Sequence, residues 1–230
     1  MRKSNIKDDI IYFFGALGGL LFGYDTGIVA GAGDLYKFNF SLTQFQEGFA
    51  TSAVVLGSAI MALLVGRLSD KFGRKKLLLA ASIIFVFGAI GSAFATDFST
   101  LCIARIVLGF GVGIASAVVP SYLSEVSPAQ KRGPIATLFQ CMIIFGILLS
   151  YISSVFLYQG HEGLTPASYS GLDWRLMLGS AAIPAAILFF GSIFLPESPR
   201  FLVKQGKYDE GRKILEKLRI GFPESEILAE

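Results

Sequence analysis

Residues 66–76 read Gly-Arg-Leu-Ser-Asp-Lys-Phe-Gly-Arg-Lys-Lys, a polar stretch with a long apolar stretch on each side. Gly48 to Gly66 contains no charged residue over 19 positions, and Leu77 to Thr96 contains none over 20. About 20 predominantly apolar residues allow a helix to cross the hydrocarbon core of a bilayer. The pattern therefore predicts two membrane-spanning helices joined by a basic loop.

Four further apolar stretches extend this pattern over the first 196 residues. The predicted spans are 10–33, 48–66, 77–96, 98–124, 133–157 and 176–196. The composition agrees, because charged residues make up 16% of the chain, against about 25% in soluble proteins. The mean hydropathy is +0.62. We therefore expect an all-α membrane protein, with a six-span domain over 1–196 and the lipid bilayer as its surroundings.

The basic residues are distributed unevenly between the two sides of these spans. Of the 20 Lys and Arg residues, 17 fall on the side that carries both termini. Loops rich in Lys and Arg remain in the cytoplasm, so both termini are predicted to be cytoplasmic in a multi-pass protein of the plasma membrane. Residues 197–230 then form a cytoplasmic segment, in which Lys207 to Arg219 has the apolar periodicity of an amphipathic helix.

Several function classes find no support in the sequence. The single histidine, His161, lies in a polar loop, and no serine or cysteine has a base at a matching depth. A Gly-x-Gly-x-Gly run at 109–113 lies in an apolar span without a preceding strand, which indicates close helix packing and not a dinucleotide site. The basic residues follow membrane topology, which argues against nucleic acid. We predict no enzyme, no cofactor, no metal site and no nucleic-acid partner.

Asp25 and Arg105 are the two ionisable residues inside the predicted spans. Asp25 lies about 22 Å from the cytoplasmic start of its span and Arg105 about 10 Å below the outer start of its own, at 1.5 Å per residue in a core of about 30 Å. Their depths coincide, so they can pair. Either the pair is a static lock between two helices, or it lines a transport path and changes protonation. Gly18, Phe22 and Asp25 share a helix face, which favours the second interpretation.

The loop at 66–76 contains Asp70 and Gly73, which a merely basic loop does not require. It resembles the signature loop of the major facilitator superfamily. Three further stretches are similar to the sugar porter family, at 18–27 (GGLLFGYDTG), 120–133 (PSYLSEVSPAQKRG) and 196–202 (PESPRFL). The resemblance implies a six-helix half of a major facilitator fold, built as a 3+3 inverted repeat and followed by short cytoplasmic helices.

The resemblance also implies roles for individual residues. Asp25 matches the carboxylate of the proton-coupled members, and Arg105 matches its partner. Phe22 and Gln140 match positions that contact the sugar. A set of charged residues matches a salt-bridge cluster that closes the inner side of the carrier. Its members here are Arg67, Asp70, Arg74, Glu125, Arg132, Glu197 and Arg200.

Two departures from the family pattern limit what the resemblance implies. Ile147 and Phe139 stand where the bacterial xylose symporters have Gln and Asn, so the sugar stays open. Family members have twelve spans, so the resemblance implies a complementary carboxy-terminal six-span half as partner.

The leading hypothesis is secondary transport of a monosaccharide or related polyol by proton symport. The alternatives are a facilitator or antiporter for another small solute, and a transport-dead membrane sensor or scaffold.

Overall fold

A computed structural model describes residues 6–158 and 170–218, and within these ranges the chain forms α-helices and no strands. The helices are α1 (Ile6–Phe40), α2 (Gln44–Phe72), α3 (Arg74–Ala93), α4 (Phe98–Val126), α5 (Arg132–Leu157), α6 (Leu172–Ser180), α7 (Ala182–Phe194), α8 (Pro199–Lys204) and α9 (Tyr208–Leu218). A short 3₁₀ turn at Ala129–Lys131 leads into α5.

Six helices are long and apolar enough to cross a membrane, with α6 and α7 together forming the sixth. This confirms the predicted all-helical fold. The helices extend beyond the predicted apolar spans, and α1 continues to Phe40 instead of ending near residue 33. Its added turns contain Lys37, which pairs with Glu47 of α2 at 2.7 Å. A helix does not have to end where its apolar stretch ends, because charged residues can continue it at the membrane surface.

Residues outside the apolar stretches start two of these helices. The side chain of Asp97 accepts the N–H of Thr100 at 2.9 Å and caps α4. This backbone N–H lowers the pKa of the Asp97 carboxyl below its usual value. Thr43 caps α2 in the same way, by accepting the N–H of Gln46. Each cap satisfies a backbone donor that the first turn of a helix leaves without a partner.

The sixth membrane helix is interrupted at Ala181. Pro184 has no N–H, and a proline ring clashes with the carbonyl four residues earlier, which here belongs to Ser180 at the end of α6. The hydroxyl of Ser180 donates to the carbonyl of Met177 at 2.6 Å and lies 2.8 Å from the hydroxyl of Tyr24. The interruption is therefore tied to the middle of α1.

The helices pack in a symmetric pattern. Helix α1 packs against α5 and α7, whereas α4 packs against α2 and α3, and α1 and α4 contact each other. If α1–α3 and α4–α7 are the two repeats, α1 corresponds to α4 and α2 to α5. The contact of α1 with α5 is then equivalent to that of α4 with α2. A 3+3 inverted repeat has this pairing.

Glycines allow these helices to approach closely. Gly19, Gly23 and Gly27 recur every four residues along α1, and an added Cβ on any of them would collide with α5. In the Gly-x-Gly-x-Gly run of α4, Gly109 and Gly113 lie against α2 and Gly111 lies against α3. The run thus packs three helices together, as the sequence predicted.

Two faces of the bundle differ in composition. The first, here called the open face, has exposed side chains at four-residue spacing on α1 and α4, and many of them are small or polar. They are Phe22, Thr26 and Ala30 on α1 and Ser116, Pro120 and Ser124 on α4. The second, the back face, is formed by the outer sides of α3 and α7, whose exposed side chains at membrane depth are large and apolar.

Candidate functional site

Asp25 and Arg105 form an ion pair in the middle of the bundle. Nη1 of Arg105 donates to Oδ1 of Asp25 at 2.8 Å, and the two residues are 3% and 4% exposed, respectively. The pair joins α1 to α4, at the depth where the sequence allowed the two residues to meet. A buried ion pair of this kind makes each charge dependent on the other, because removal of one leaves the second without compensation.

The pair does not lie on the open face with Phe22. Gly18 packs against Val119 of α4, and Asp25 also points toward α4, whereas Phe22 is 40% exposed. Three residues of an α-helix correspond to a rotation of about 300°, which leaves side chains at i and i+3 about 60° apart. That angle separates the buried carboxylate from the exposed ring. The predicted single stripe is therefore split into a buried part and an open part.

Phe22 of α1 lies on the open face, and Gln140 of the neighbouring α5 is also exposed. The contacts of Gly19 with Phe139 and of Gly23 with Ile143 set the register of these two helices. In that register Phe22 and Gln140 differ in level by two residues, or about 3 Å. The Gln140 amide makes no hydrogen bond to the residues described by the structure. Its donors and acceptor are therefore free for a ligand.

A second group of charges surrounds the loop at 66–76, and we call it the loop cluster. Arg74 pairs with Glu125 of α4 at 2.9 Å and lies 3.8 Å from Asp70 of α2. Asp70 also pairs with Lys204 of α8 at 2.7 Å. These contacts join the ends of α2, α3, α4 and α8.

Glu197 completes the loop cluster by capping α3. Its Oε1 accepts the backbone N–H groups of Arg74 at 3.0 Å, Lys75 at 3.2 Å and Ser198 at 2.8 Å. Helix α3 follows Gly73, which has no side chain to cap it, so the carboxylate of another segment takes that role. Gly73 has a φ of 91°, and an added Cβ would collide with Glu197. Glycine therefore satisfies both the backbone conformation and the close approach.

Ser198 and Lys204 also belong to the loop cluster, although the sequence predicted a role for neither. The hydroxyl of Ser198 donates to the Glu125 carboxylate and accepts the N–H of Phe201, which starts α8. Pro199 occupies the first turn of that helix. A Ser-Pro pair is a helix-start signal and could have indicated Ser198. No comparable signal precedes the pairing of Lys204 with Asp70.

The structure joins some of the predicted gate residues and not others. Within residues 6–158 and 170–218, Arg67 and Arg200 form no ion pair. Arg132 donates from Nε to the carbonyl of Ser124 at 3.2 Å. The residues brought together are Asp70, Arg74, Glu125 and Glu197.

The described residues also limit the chemistry of the site. No group of three or more His, Cys, Asp or Glu side chains among them could hold a metal ion. His161 lies outside the described residues. What the site offers is a buried carboxylate, a fixed positive charge beside it and an exposed amide.

Comparison with known proteins assigns the family. A family model described as "Sugar (and other) transporter" matches residues 11–230. The chain belongs to this family. It is 51% identical to the D-xylose transporter of Levilactobacillus brevis over 218 residues, which are 94% of this chain and 45% of that protein. It is 44% identical to the arabinose-proton symporter of Escherichia coli over 219 residues, which are 95% of this chain and 44% of that protein.

Solved structures agree with this assignment. The proton:xylose symporter XylE, a major facilitator superfamily protein, superposes with a TM-score of 0.86 at 30% identity, over 96% of this chain and 51% of that chain. The inward-open form of XylE from Escherichia coli gives a TM-score of 0.83 at 29% identity, over 96% of this chain and 54% of that chain. The chain thus spans about half the length of the relatives that it matches. Its fold is a six-helix half of the major facilitator type.

Proposed function

We propose that this chain forms half of a carrier that moves a monosaccharide or related polyol by proton symport. The buried ion pair of Asp25 with Arg105, held between the two central helices of a sugar transporter fold, carries this proposal. The names of the relatives support it, because they include a D-xylose transporter, an arabinose-proton symporter and a myo-inositol transporter.

In this proposal Asp25 carries the proton and Arg105 controls when it is bound. An arginine does not release its proton in proteins, so the carboxylate is the group of the pair that can change charge. Burial favours a neutral carboxyl, whereas a nearby guanidinium favours the anion. Because the pair is covered on all sides, proton exchange requires α1 and α4 to move. Separation of the two groups then favours uptake of a proton, and their return favours its release.

Phe22 and Gln140 form this half's share of the sugar site. The Gln140 amide can donate to one sugar hydroxyl and accept from another, and the Phe22 ring offers an apolar surface. Phe22 lies on the open face, which we assign to the complementary half, and Gln140 is exposed on the adjoining α5. That half supplies the remaining hydrogen bonds. The chain alone should therefore bind sugar poorly and should not accumulate it.

The loop cluster serves as the gate on the side of the termini. Arg67, Arg132 and Arg200 are the members that change partners when the two halves approach. The termini are assigned to the cytoplasm and the protein to the plasma membrane. Single cysteines at Ser4 and Ser225 should be protected from an impermeant thiol reagent outside intact cells, and one at Ser168 should react. Labelling at Ser225 but not at Ser168 would contradict this topology.

The coupling role of Asp25 is tested in liposomes that contain this chain together with the complementary half. Asp25→Asn should retain exchange of labelled sugar at equal concentrations on both sides and should lose accumulation driven by a pH gradient. Asp34→Asn is the matched control, because it removes an exposed carboxylate from the same helix and should retain both activities.

Three outcomes would contradict parts of this proposal. If Asp25→Asn still concentrates sugar on a proton gradient alone, the pair is a structural lock. If the unmodified pair of halves exchanges sugar but never concentrates it, the protein is a facilitator. If the 230-residue chain concentrates sugar without a second half, the site is not divided between two halves.

A further inference from the structure

The back face contains a groove between α3 and α7 that the proposed transport site does not use. It has a volume of about 280 Å³. Its lining includes Ile83, Val86 and Phe87 of α3 and Ala186, Phe189 and Phe190 of α7. Ser82 also contributes, but its hydroxyl donates to the carbonyl of Leu79 at 2.8 Å. The surface that the groove offers is therefore apolar.

Large apolar side chains are exposed on both sides of the groove, as expected of a surface that faces the hydrocarbon of a membrane. The exposed side chains beside it are Ile83, Phe87 and Ile90 of α3 and Ile183 and Ile187 of α7. The open face exposes serine and threonine at comparable positions, but this face does not. The lining is apolar, which matches the polarity of a hydrocarbon chain.

Two lysines lie in line with the groove at its end near the 66–76 loop. Lys75 and Lys76 precede Ser82 and Ile83 by seven residues, which is two helical turns and places them on the same sides of α3. Nζ of Lys75 donates to the carbonyl of Ile193 at 2.7 Å and so spans the gap between α3 and α7. Lys76 is exposed beside it.

The distances fit one leaflet of a bilayer. Ile83 lies about 10 Å along the helix from Lys76 and Phe87 about 16 Å, at 1.5 Å per residue. Half of a hydrocarbon core of about 30 Å is about 15 Å. A lipid whose headgroup is at Lys76 would therefore place its acyl chain beside Ile83 and Phe87.

We propose that this groove and the two lysines bind an anionic phospholipid of the leaflet next to the 66–76 loop. Lys76 and the donors of Lys75 that Ile193 does not use bind the phosphate, and one acyl chain fills the groove. A lysine has three donors and no acceptor, so it suits a phosphate at the end of an apolar groove. Basic residues between membrane helices select anionic headgroups in the same way. Glu197 lies against the backbone of Lys75, but three backbone N–H groups already bind this carboxylate.

Photolabelling with two lipids that differ only in charge tests this site. The 230-residue chain is placed in phosphatidylcholine bilayers with a trace of phosphatidylglycerol that carries a diazirine in its acyl chain, or with the matching phosphatidylcholine. Labelling should map to residues 82–90 and 186–190. Phosphatidylglycerol should be preferred by about fivefold for each lysine that contributes.

Three variants complete the test. Lys76→Gln should lower labelling by phosphatidylglycerol about fivefold, toward the level of phosphatidylcholine. Lys213→Gln, which removes an exposed lysine of α9, should leave it unchanged. Ala186→Phe fills the groove and should reduce labelling by both lipids. If Ala186→Phe does not accumulate in the membrane, the two lysine variants decide the test.

The proposal is overturned if both lipids label residues 82–90 equally, since the groove then holds only ordinary bilayer lipid. It is also overturned if Lys76→Gln and Lys213→Gln behave alike. Absence of labelling by either lipid at residues 82–90 and 186–190 would show that no acyl chain occupies the groove and would equally overturn the proposal.

Discussion

The Asp25–Arg105 pair and the loop cluster hold helices together with charges in two different ways. In the pair, one contact at 2.8 Å joins two residues that are almost completely buried. In the loop cluster, Arg74 contacts two carboxylates and Glu197 accepts three backbone N–H groups. A charge with one partner therefore has no substitute when that partner is lost, whereas the cluster can redistribute its contacts.

Solvent adds to this difference. Water reaches the outer members of the loop cluster and screens their charges, so that each exposed pair contributes little. It does not reach the middle of the bundle, where an unpaired charge is costly. Substitutions should therefore have graded effects, from the buried pair to the exposed edge of the cluster.

The largest expected effect is that of Arg105→Met. It leaves the Asp25 carboxylate buried without a counter-charge and should lower the free energy of unfolding by about 3–5 kcal/mol. SDS-induced unfolding of the purified protein measures this loss.

The double variant Asp25→Leu with Arg105→Met is the control for this effect. It removes both charges and should recover much of the stability that Arg105→Met loses. A loss without recovery in the double variant would show that the packing of Arg105 matters and its charge does not.

Glu197→Ala should have the next largest effect. It leaves the first N–H groups of α3 without an acceptor and should cost about 1–3 kcal/mol. Hydrogen exchange should accelerate at the amides of Arg74 and Lys75. Glu216→Ala is the control, because this residue pairs with Arg212 at 2.9 Å on the exposed side of α9. Equal effects of the two variants would contradict the capping role of Glu197.

Gly73→Ala and Gly206→Ala separate backbone strain from side-chain collision. Both glycines have positive φ angles, of 91° and 76°, but an added Cβ meets Glu197 at Gly73 and open space at Gly206. Strain alone should cost about 1 kcal/mol at Gly206. Gly73→Ala should cost more, since it also displaces the cap of α3. Thermal unfolding in detergent compares the two, and equal losses would exclude a role for the collision.

Lys204→Gln should have the smallest effect. It breaks the pair with Asp70, in which both side chains are more than half exposed, at 58% and 51%. The unfolding transition should shift little, and the difference from the unmodified protein should disappear at high salt. A large shift that persists at high salt would place Lys204 among the essential contacts of the cluster.

The sequence predicted much of this protein without the structure. The apolar stretches predicted six membrane helices, and the matching depths of Asp25 and Arg105 predicted that they could meet. The Gly-x-Gly-x-Gly run predicted close packing of α4. These inferences need only the distance along the chain and the cost of placing charged groups in hydrocarbon. The sequence alone therefore supports them.

Only the tertiary structure decided which side chains contact each other and which are exposed. It placed Asp25 in the interior and Phe22 on the open face, made Glu197 the cap of α3 and brought Lys204 to Asp70. The groove between α3 and α7 is a result of the same kind. Each of these contacts depends on how a helix is rotated about its axis and on which helices are its neighbours. Close contacts at glycines, between segments far apart in the chain, contribute to both. Hydropathy identifies the segments that cross the membrane, but it does not show which neighbour each side chain faces.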